Sequence, residues 1–355
     1  MTPDLLGEIF YHLCDKGPLP YGHLLLVSRS FHDAFLNETR LWTFISLDSL
    51  FVHYFKQLPE QGDRFIAQCL LRSGFRPLCL SIDLSGLLTD DSSFLLRRLK
   101  KFRKRESGVP QRYISLLIRI NDSSSDDSSY RVTTMLDVVA ALPKSLPFVR
   151  HISLSYLGDT MDGSRFPKCP ALKRVELFSH ATPHPPFWRT NFQQVTTLSF
   201  GKPSRWEDYD LETLSQFPRL HDLTLFTEYG KESSHGVISQ PPIKFEHIHI
   251  LRTHGHIPPA ILTRFVAPTL QELHLKANAE HFTSIAALNN SFETLCQYIY
   301  ALLPEAVSTQ EPDWAINLSE MVHYSRRIKA LYVSKWMEEG CKRFISGLDV
   351  VLHVQ

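Results

Sequence analysis

Histidine offers the widest range of chemistry in this sequence, because it binds metals when neutral and changes charge between about pH 5 and 8. Of the 17 histidines, His247, His249 and His274 fall at alternating positions of two strand-like segments. Asp222 and Glu272 occupy comparable positions. Three imidazoles and two carboxylates could bind a metal or form a pH-sensitive surface. On a nearly flat sheet such side chains do not converge, so we expect a protein-binding or solvated face and no metal.

No catalytic or nucleotide-binding motif accompanies these side chains. The sequence has no Gly-x-x-x-x-Gly-Lys-Ser/Thr loop, no Gly-x-Gly-x-x-Gly, no His-Glu-x-x-His and no Gly-x-Ser-x-Gly. No spacing fixes a nucleophile beside its base. We therefore expect a protein that is not an enzyme and that uses no cofactor.

Composition bounds the partner class. The 38 basic and 37 acidic side chains leave a formal net charge of +1, so we expect neither nucleic acid nor a membrane as partner. No apolar run approaches the ~20 residues that span a bilayer. The pattern predicts a soluble cytoplasmic or nuclear protein. In that compartment we expect reduced thiols at Cys14, Cys69, Cys79, Cys169, Cys296 and Cys341.

One apolar template recurs along the second half of the chain and must position the side chains named above. It has the form apolar-x-x-apolar-x-apolar, and its six copies start 23 to 25 residues apart. The copies are Val149, Ile152, Leu154; Leu172, Val175, Leu177; Val195, Leu198, Phe200; Leu220, Leu223, Leu225; Phe245, Ile248, Ile250; and Leu270, Leu273, Leu275.

A second mark moves with this template. Proline stands two residues before the first anchor at Pro147, Pro170, Pro218 and Pro268. This period is typical of leucine-rich repeats, in which each unit supplies one strand and neighbouring units stack into a continuous core. The sequence thus predicts an α/β solenoid, an irregular ribonuclease-inhibitor-like array of parallel strands.

Two earlier segments could be further units of the same array. Their apolar residues are Tyr113, Leu116, Ile118 and Phe75, Leu78, Leu80.

The residues between the anchors should face the concave surface of such an array, since side chains alternate along a strand. Aromatic and charged side chains on that surface fit a protein-binding patch. The expected target-binding residues are Arg174, Phe178, Asp222, Phe226, His247, His249, Leu251, Glu272 and His274.

The N-terminal residues have a different pattern. Pro-Asp-Leu-Leu-Gly-Glu-Ile-Phe at 3–10 starts a helix, with proline and an acid in the first turn. A second amphipathic stretch places Leu24, Val27, Phe31 and Phe35 on one face. Three features resemble the F-box family. They are the opening motif at 3–10, the Leu-Leu-x-Val-Ser-Arg-x-Phe motif of the second stretch, and a terminal Leu-Trp.

This resemblance implies a partner and a surface. F-box segments bind the Skp adaptor of Skp–cullin–F-box ubiquitin ligases, so the chain is expected to be a substrate receptor that binds an unknown target protein through the repeats. Two alternatives stay open, a scaffold or N-terminal helical cap that binds no adaptor, and a metal or ligand sensor. The matching adaptor-binding positions are Pro3, Leu5, Leu6, Ile9, Phe10, Leu24, Val27 and Trp42.

The segment after the F-box-like motif supports the same family. A helix is expected over 63–73 with Gly74 as its C-terminal cap, followed by a strand within 75–84. Arg-Ser-Gly followed by Pro-Leu-x-Leu-x-Ile resembles the junction in many fungal F-box proteins. The basic run 100–105 is expected to form the solvent-exposed face of a packed helix.

The rest of the chain completes the predicted organisation. The serine- and aspartate-rich run 121–129 is expected to be a loop. Helices are expected over 292–303 and 318–340, with a last strand at 350–354. The predicted domains are an F-box-like segment at 1–48, the repeats at 49–290 and a C-terminal cap at 291–355.

Overall fold

The computed structural model describes residues 3–13, 18, 21, 25–105, 112–120, 135–156, 166–179, 193–202, 214, 217–227, 243–254, 265–267, 269–276, 330–333 and 351–354. It has an α/β arrangement, with helices and parallel strands in an open sheet. The chain divides into two compact units, Met1–Val175 and Glu176–Gln355.

The first unit combines helices with four parallel strands in the order β1-β2-β3-β4. Its elements are α1 (Pro3–Leu13), α2 (Arg29–Asn37), a 3-10 helix (Thr39–Thr43), β1 (Phe44–Leu47), α3 (Ser49–Phe55), α4 (Pro59–Arg72), β2 (Leu78–Asp83), α5 (Thr89–Arg105), β3 (Tyr113–Ile120), α6 (Met135–Ala141) and β4 (His151–Tyr156).

Capping residues set the ends of these helices. The Ser28 side chain accepts a hydrogen bond from the Phe31 amide at 3.2 Å and so begins α2. Asp48 caps α3 by accepting from the Leu50 and Phe51 amides. Gly74, with φ of +58°, follows the end of α4 in the left-handed conformation that glycine adopts most easily. The predicted glycine stop after this helix is confirmed, and the helix begins at Pro59.

Strand β5 (Arg174–Ser179) crosses the boundary between the units. The second unit continues with β6 (Thr197–Lys202), β7 (Asp222–Thr227), β9 (Ile250–His254), β11 (Glu272–Lys276), β12 (Ala330–Val333) and β13 (Val351–Val354). These six strands pair in parallel in the order β6-β7-β9-β11-β12-β13. A separate two-stranded parallel pair joins β8 (Ile243–Lys244) and β10 (Phe265–Val266).

Five of the six template copies contain a strand at the predicted place, and the anchors of these strands that the structure describes are buried. Each strand alternates buried and partly exposed side chains because successive residues point to opposite faces. The buried anchors of β4 to β7 are at most 3% exposed. They are Ile152, Leu154, Val175, Leu177, Leu198, Phe200, Leu223 and Leu225.

A tight turn before each strand explains the phased proline. The first-anchor amides of Val149, Leu172 and Leu220 donate to the carbonyl three residues earlier, at 3.1 to 3.3 Å. Pro147, Pro170 and Pro218 therefore occupy the second position of a turn, where the fixed φ of proline fits. Pro268 lies outside the described residues, although Leu270 makes the same bond to Ala267.

The fifth copy is shifted by three residues from its predicted register. Ile250 pairs with Asp222 and Leu251 with Leu223, so the buried positions of this strand are Leu251 and Thr253. The hydroxyl of Thr253 donates to the His274 carbonyl at 3.5 Å, which makes its burial tolerable. Ile248, which is 1% exposed, takes the first-anchor position, and Phe245 is also buried, so the predicted fifth set is wrong in its register and at Ile250.

Strand also replaces helix at one predicted position. The helix expected over 318–340 is wrong at Ala330–Val333, which forms β12 between β11 and β13. The last strand expected at 350–354 is confirmed as Val351–Val354. The loop expected at 121–129 and the helix expected at 292–303 lie outside the described residues.

The basic run lies on α5, whose apolar stripe Phe94, Leu95 and Leu99 is buried. Lys101 and Arg98 of that helix both pair with Asp63 of α4. Within the described parts of the chain, no helix is long and apolar enough to cross a membrane.

Candidate functional site

The N-terminal helices pack around Phe10, which is 1% exposed. Its ring meets Phe31 at 5.4 Å and Phe35 at 5.5 Å, both edge-on, and Phe35 meets Trp42 at 6.1 Å. Edge-to-face rings at such separations are favourable contacts. Residues 3–13 and 28–43 therefore contain a small aromatic core of their own.

This core corrects part of the predicted adaptor surface. Leu6, Phe10 and Trp42 are between 1% and 5% exposed, so in this structure none of them can touch a partner. Amphipathic spacing marks a helix face that is covered, and here the covering comes from the chain itself. These three residues belong to internal packing.

Other members of the predicted set are accessible. Leu5 is 52% exposed and Val27 is 59% exposed, while Ile9 is half-buried. Val27 faces solvent because α2 begins only at Arg29. Sequence reasoning missed Leu26, which is 87% exposed. The side chain of Pro3 and all of Leu24 lie outside the described residues.

An ion-pair cluster closes α1 onto the 3-10 helix. The Arg40 guanidinium donates to Glu38 at 2.7 and 2.8 Å and to Glu8 at 2.8 Å, and it lies 4.4 Å over the Tyr11 ring. The hydrogen bonds from Arg40 hold the pKa of Glu38 below its usual range, although partial burial opposes this. A Cβ at Gly7 would stand 2.9 Å from the Glu38 carboxylate, so glycine permits this approach.

The second candidate surface is the outward face of strands β6, β7, β9 and β11. Asp222 of β7 pairs with Arg252 of β9, and Glu272 accepts from the His274 ring at 3.3 Å if that nitrogen is protonated. Burial lowers the pKa of His274, while the hydrogen bond to Glu272 opposes the shift. His274 is therefore predominantly neutral at pH 7.

An aromatic row lies beside these charges. Phe178 and Phe226 are partly exposed on either side of Gly201, where an added Cβ would stand 2.6 Å from the Phe178 ring and 3.2 Å from the Phe226 Cβ. Phe226 also stacks on His254 at 4.7 Å. Glycine thus lets two aromatic side chains approach across an intervening strand. The predicted residues Phe178 and Phe226 lie in this row, and His254 was missed.

The register shift moves three predicted residues away from this face. Leu251 is fully buried, and the prediction that it is exposed there is wrong. His247 and His249 lie in the turn before β9, where they stack with His221 at 6.4 and 5.1 Å. Arg252 takes the outward position that sequence analysis gave to His249.

The imidazoles are therefore split between two places, and His274 is grouped with Glu272 rather than with His247 and His249. No group of three or more His, Cys, Asp or Glu side chains in the described residues is placed to hold a metal. Arg174 is exposed at the start of β5.

Three cysteines of the described part of the chain, Cys69, Cys79 and Cys169, are not in disulfides. Burial raises the pKa of Cys69 and Cys169 to about 12 and that of Cys79 to about 11. Thiols with such values are almost wholly protonated at pH 7 and react slowly. None of the three has the electropositive, accessible setting of a reactive cysteine.

No protein-family model matches the chain, and no curated protein matches it significantly. The F-box and leucine-rich-repeat resemblances therefore stay predictions from the sequence.

Proposed function

We propose that this chain is a substrate-receptor subunit of a Skp–cullin–F-box type ubiquitin ligase. In this proposal, residues 3–43 bind the adaptor and an irregular leucine-rich-repeat solenoid holds a target protein. The chain catalyses no reaction and acts by binding two other proteins. The observation that supports the proposal most directly is that Leu5, Leu26 and Val27 are exposed, whereas Leu6, Phe10 and Trp42 fill the interior of the described part of the segment.

The exposed apolar residues support adaptor binding for a physical reason. Leu5, Leu26 and Val27 are 52%, 87% and 59% exposed, although Phe10 and its neighbours fill the interior. Internal packing therefore does not account for three large apolar side chains on a segment of about forty residues. Exposed apolar groups bordered by polar ones are typical of protein-binding surfaces.

The outward face of the second unit supports target binding. It combines half-exposed aromatic residues, Phe178 and Phe226, with the ion pair of Asp222 and Arg252. Aromatic residues and arginine are enriched at protein interfaces and dominate their energetics. The charged pair keeps this face hydrated in the absence of a partner, and the aromatic side chains offer apolar area to another protein.

Co-expression with a Skp-type adaptor tests the proposal. The wild-type chain should co-purify with the adaptor, and the double variant Leu5→Asp, Val27→Asp should lose it, because charges then replace the exposed contacts. Leu71→Asp is the matched control, since Leu71 is 72% exposed on α4 outside the N-terminal segment. A wild-type chain that leaves the adaptor behind, or a double variant that retains it, contradicts the proposal.

The burial of Leu6, Phe10 and Trp42 favours a second candidate function. If the segment uses its apolar residues only internally, the chain is a non-catalytic leucine-rich-repeat scaffold without adaptor binding. This candidate predicts no co-purification of the adaptor, while target binding by the strands persists. The same co-expression experiment therefore separates the two functions.

A further inference from the structure

Three arginines connect the N-terminal segment to the strands of the first unit. The Arg72 side chain, at the end of α4, donates to the Leu36 carbonyl at the end of α2 across 3.0 Å. Its guanidinium also lies 5.2 Å above the Trp42 ring. One side chain thus contacts both the end of α2 and the 3-10 helix.

Arg76 and Arg112 extend this connection to β3. The Nε of Arg76 donates to the Thr39 hydroxyl at 2.6 Å. Arg112, directly before β3, donates to the Ser73 hydroxyl at 2.7 Å and to the Arg76 carbonyl at 3.1 Å. Hydrogen bonds therefore run from Leu36 and Thr39, through the turn after α4, to Arg112 directly before β3.

The chemistry of the guanidinium matters here. Its planar donors fix direction as well as distance, whereas a lysine ammonium fixes neither as closely. Arg112 also donates to the Leu70 carbonyl at 3.4 Å, near the end of α4, where the last helical carbonyls have no partner within the helix. The turn after α4 is thereby held from both sides, by the N-terminal segment and by β3.

We infer that Arg72, Arg76 and Arg112, here called the arginine clamp, are positioning residues that fix the N-terminal segment at one orientation relative to β1–β4. The 3-10 helix also lies against α4 and runs into β1. The clamp adds directional hydrogen bonds to these contacts. That the positioned partner is an adaptor rests on the proposed function, whereas the clamp itself does not.

A distance measurement in the full-length chain tests the clamp. Spin labels attached to non-natural side chains at His12 and Arg119, both exposed and both in the first unit, report the separation of α1 and β3. The wild-type chain should give one narrow distance distribution by pulsed electron paramagnetic resonance. The double variant Arg72→Gln, Arg76→Gln should lose this narrow distribution while its circular dichroism spectrum is unchanged.

Matched variants separate positioning from general loss of structure. Arg64→Gln with Arg97→Gln removes two exposed arginines from the neighbouring helices and should keep the narrow distribution. Thr39→Val removes only the acceptor for Arg76, preserves side-chain shape and should also broaden it. If Thr39→Val and the double variant both leave the distribution as narrow as in the wild type, the inference is wrong. A narrow wild-type distribution without adaptor binding would instead count against the proposed function alone.

Discussion

Replacement of Phe10 by alanine tests the aromatic core of the N-terminal segment. Phe10 is 1% exposed and makes two edge-on ring contacts, with Phe31 and Phe35. Burial of a phenylalanine side chain contributes roughly 1.5 to 3 kcal/mol. Each ring pair adds about 0.5 to 1.5 kcal/mol. We expect Phe10→Ala to lower the free energy of unfolding by about 3 to 5 kcal/mol, the range found for such substitutions.

Trp42 offers a local probe for this measurement, because its ring packs against Phe35 within the same core. Fluorine-labelled tryptophan gives a resonance for Trp42 that the Trp42→Phe variant identifies among the five tryptophans. A urea titration of that resonance then gives the stability of the segment itself. This local reading matters because a chain with two compact units need not unfold in one step.

The neighbouring variant Leu5→Ala is the control. Leu5 is 52% exposed, so its truncation should change the stability of the segment by less than about 1 kcal/mol. If Phe10→Ala also changed the stability by less than about 1 kcal/mol, Phe10 would not be a core residue. The separation of core residues from the proposed adaptor-binding residues would then fail.

Three further predictions concern the rest of the chain. Leu251→Ala should destabilise the chain by about 2 to 5 kcal/mol in urea denaturation and Ile250→Ala by much less; the opposite order would restore the predicted register. Burial of Asp63 opposes ionisation, but pairing with Arg98 and Lys101 outweighs it and keeps its pKa below the usual range. Asp63→Asn should therefore lower the free energy of unfolding by roughly 1 to 3 kcal/mol at pH 7. The difference from wild type should vanish as pH falls through and below the usual aspartate range, because the wild-type carboxylate then protonates. A pH-independent difference contradicts this. In native protein at pH 7, iodoacetamide should label little of Cys69, Cys79 and Cys169, as measured by mass spectrometry. Rapid labelling of these thiols would contradict their burial.

The strands at most of the template copies could be predicted because two independent signals coincide. The apolar period marks the buried face, and the phased proline marks the turn before each strand, as at Pro147 and Pro170. The fifth copy lacks this proline, since Glu246 stands at the equivalent place. In this copy the polar residue Thr253 occupies a buried anchor position, whereas the apolar residue Ile250 is partly exposed. Without the proline, the apolar template did not fix the register of this copy, although it did so at the third copy, where Gln193 stands at the equivalent place.

The apolar faces of the N-terminal segment could be predicted, but not which of their side chains are exposed. Sequence spacing shows which residues share an apolar helix face, but not whether a partner or the chain itself covers that face. Phe10 and Trp42 proved to be covered by Phe35, whereas Leu26, outside the apolar stripe, is exposed. The arginine clamp depends on contacts between residues 36 to 39 positions apart, which no local pattern reveals.

Hydrogen exchange with and without a purified Skp-type adaptor tests the central claim most directly. The account predicts slower exchange of backbone amides in α1 and in residues 25–28, which contain Leu26 and Val27, with no change in β6, β7, β9 and β11. Slowing confined to those strands, or no slowing within residues 3–43, would contradict it.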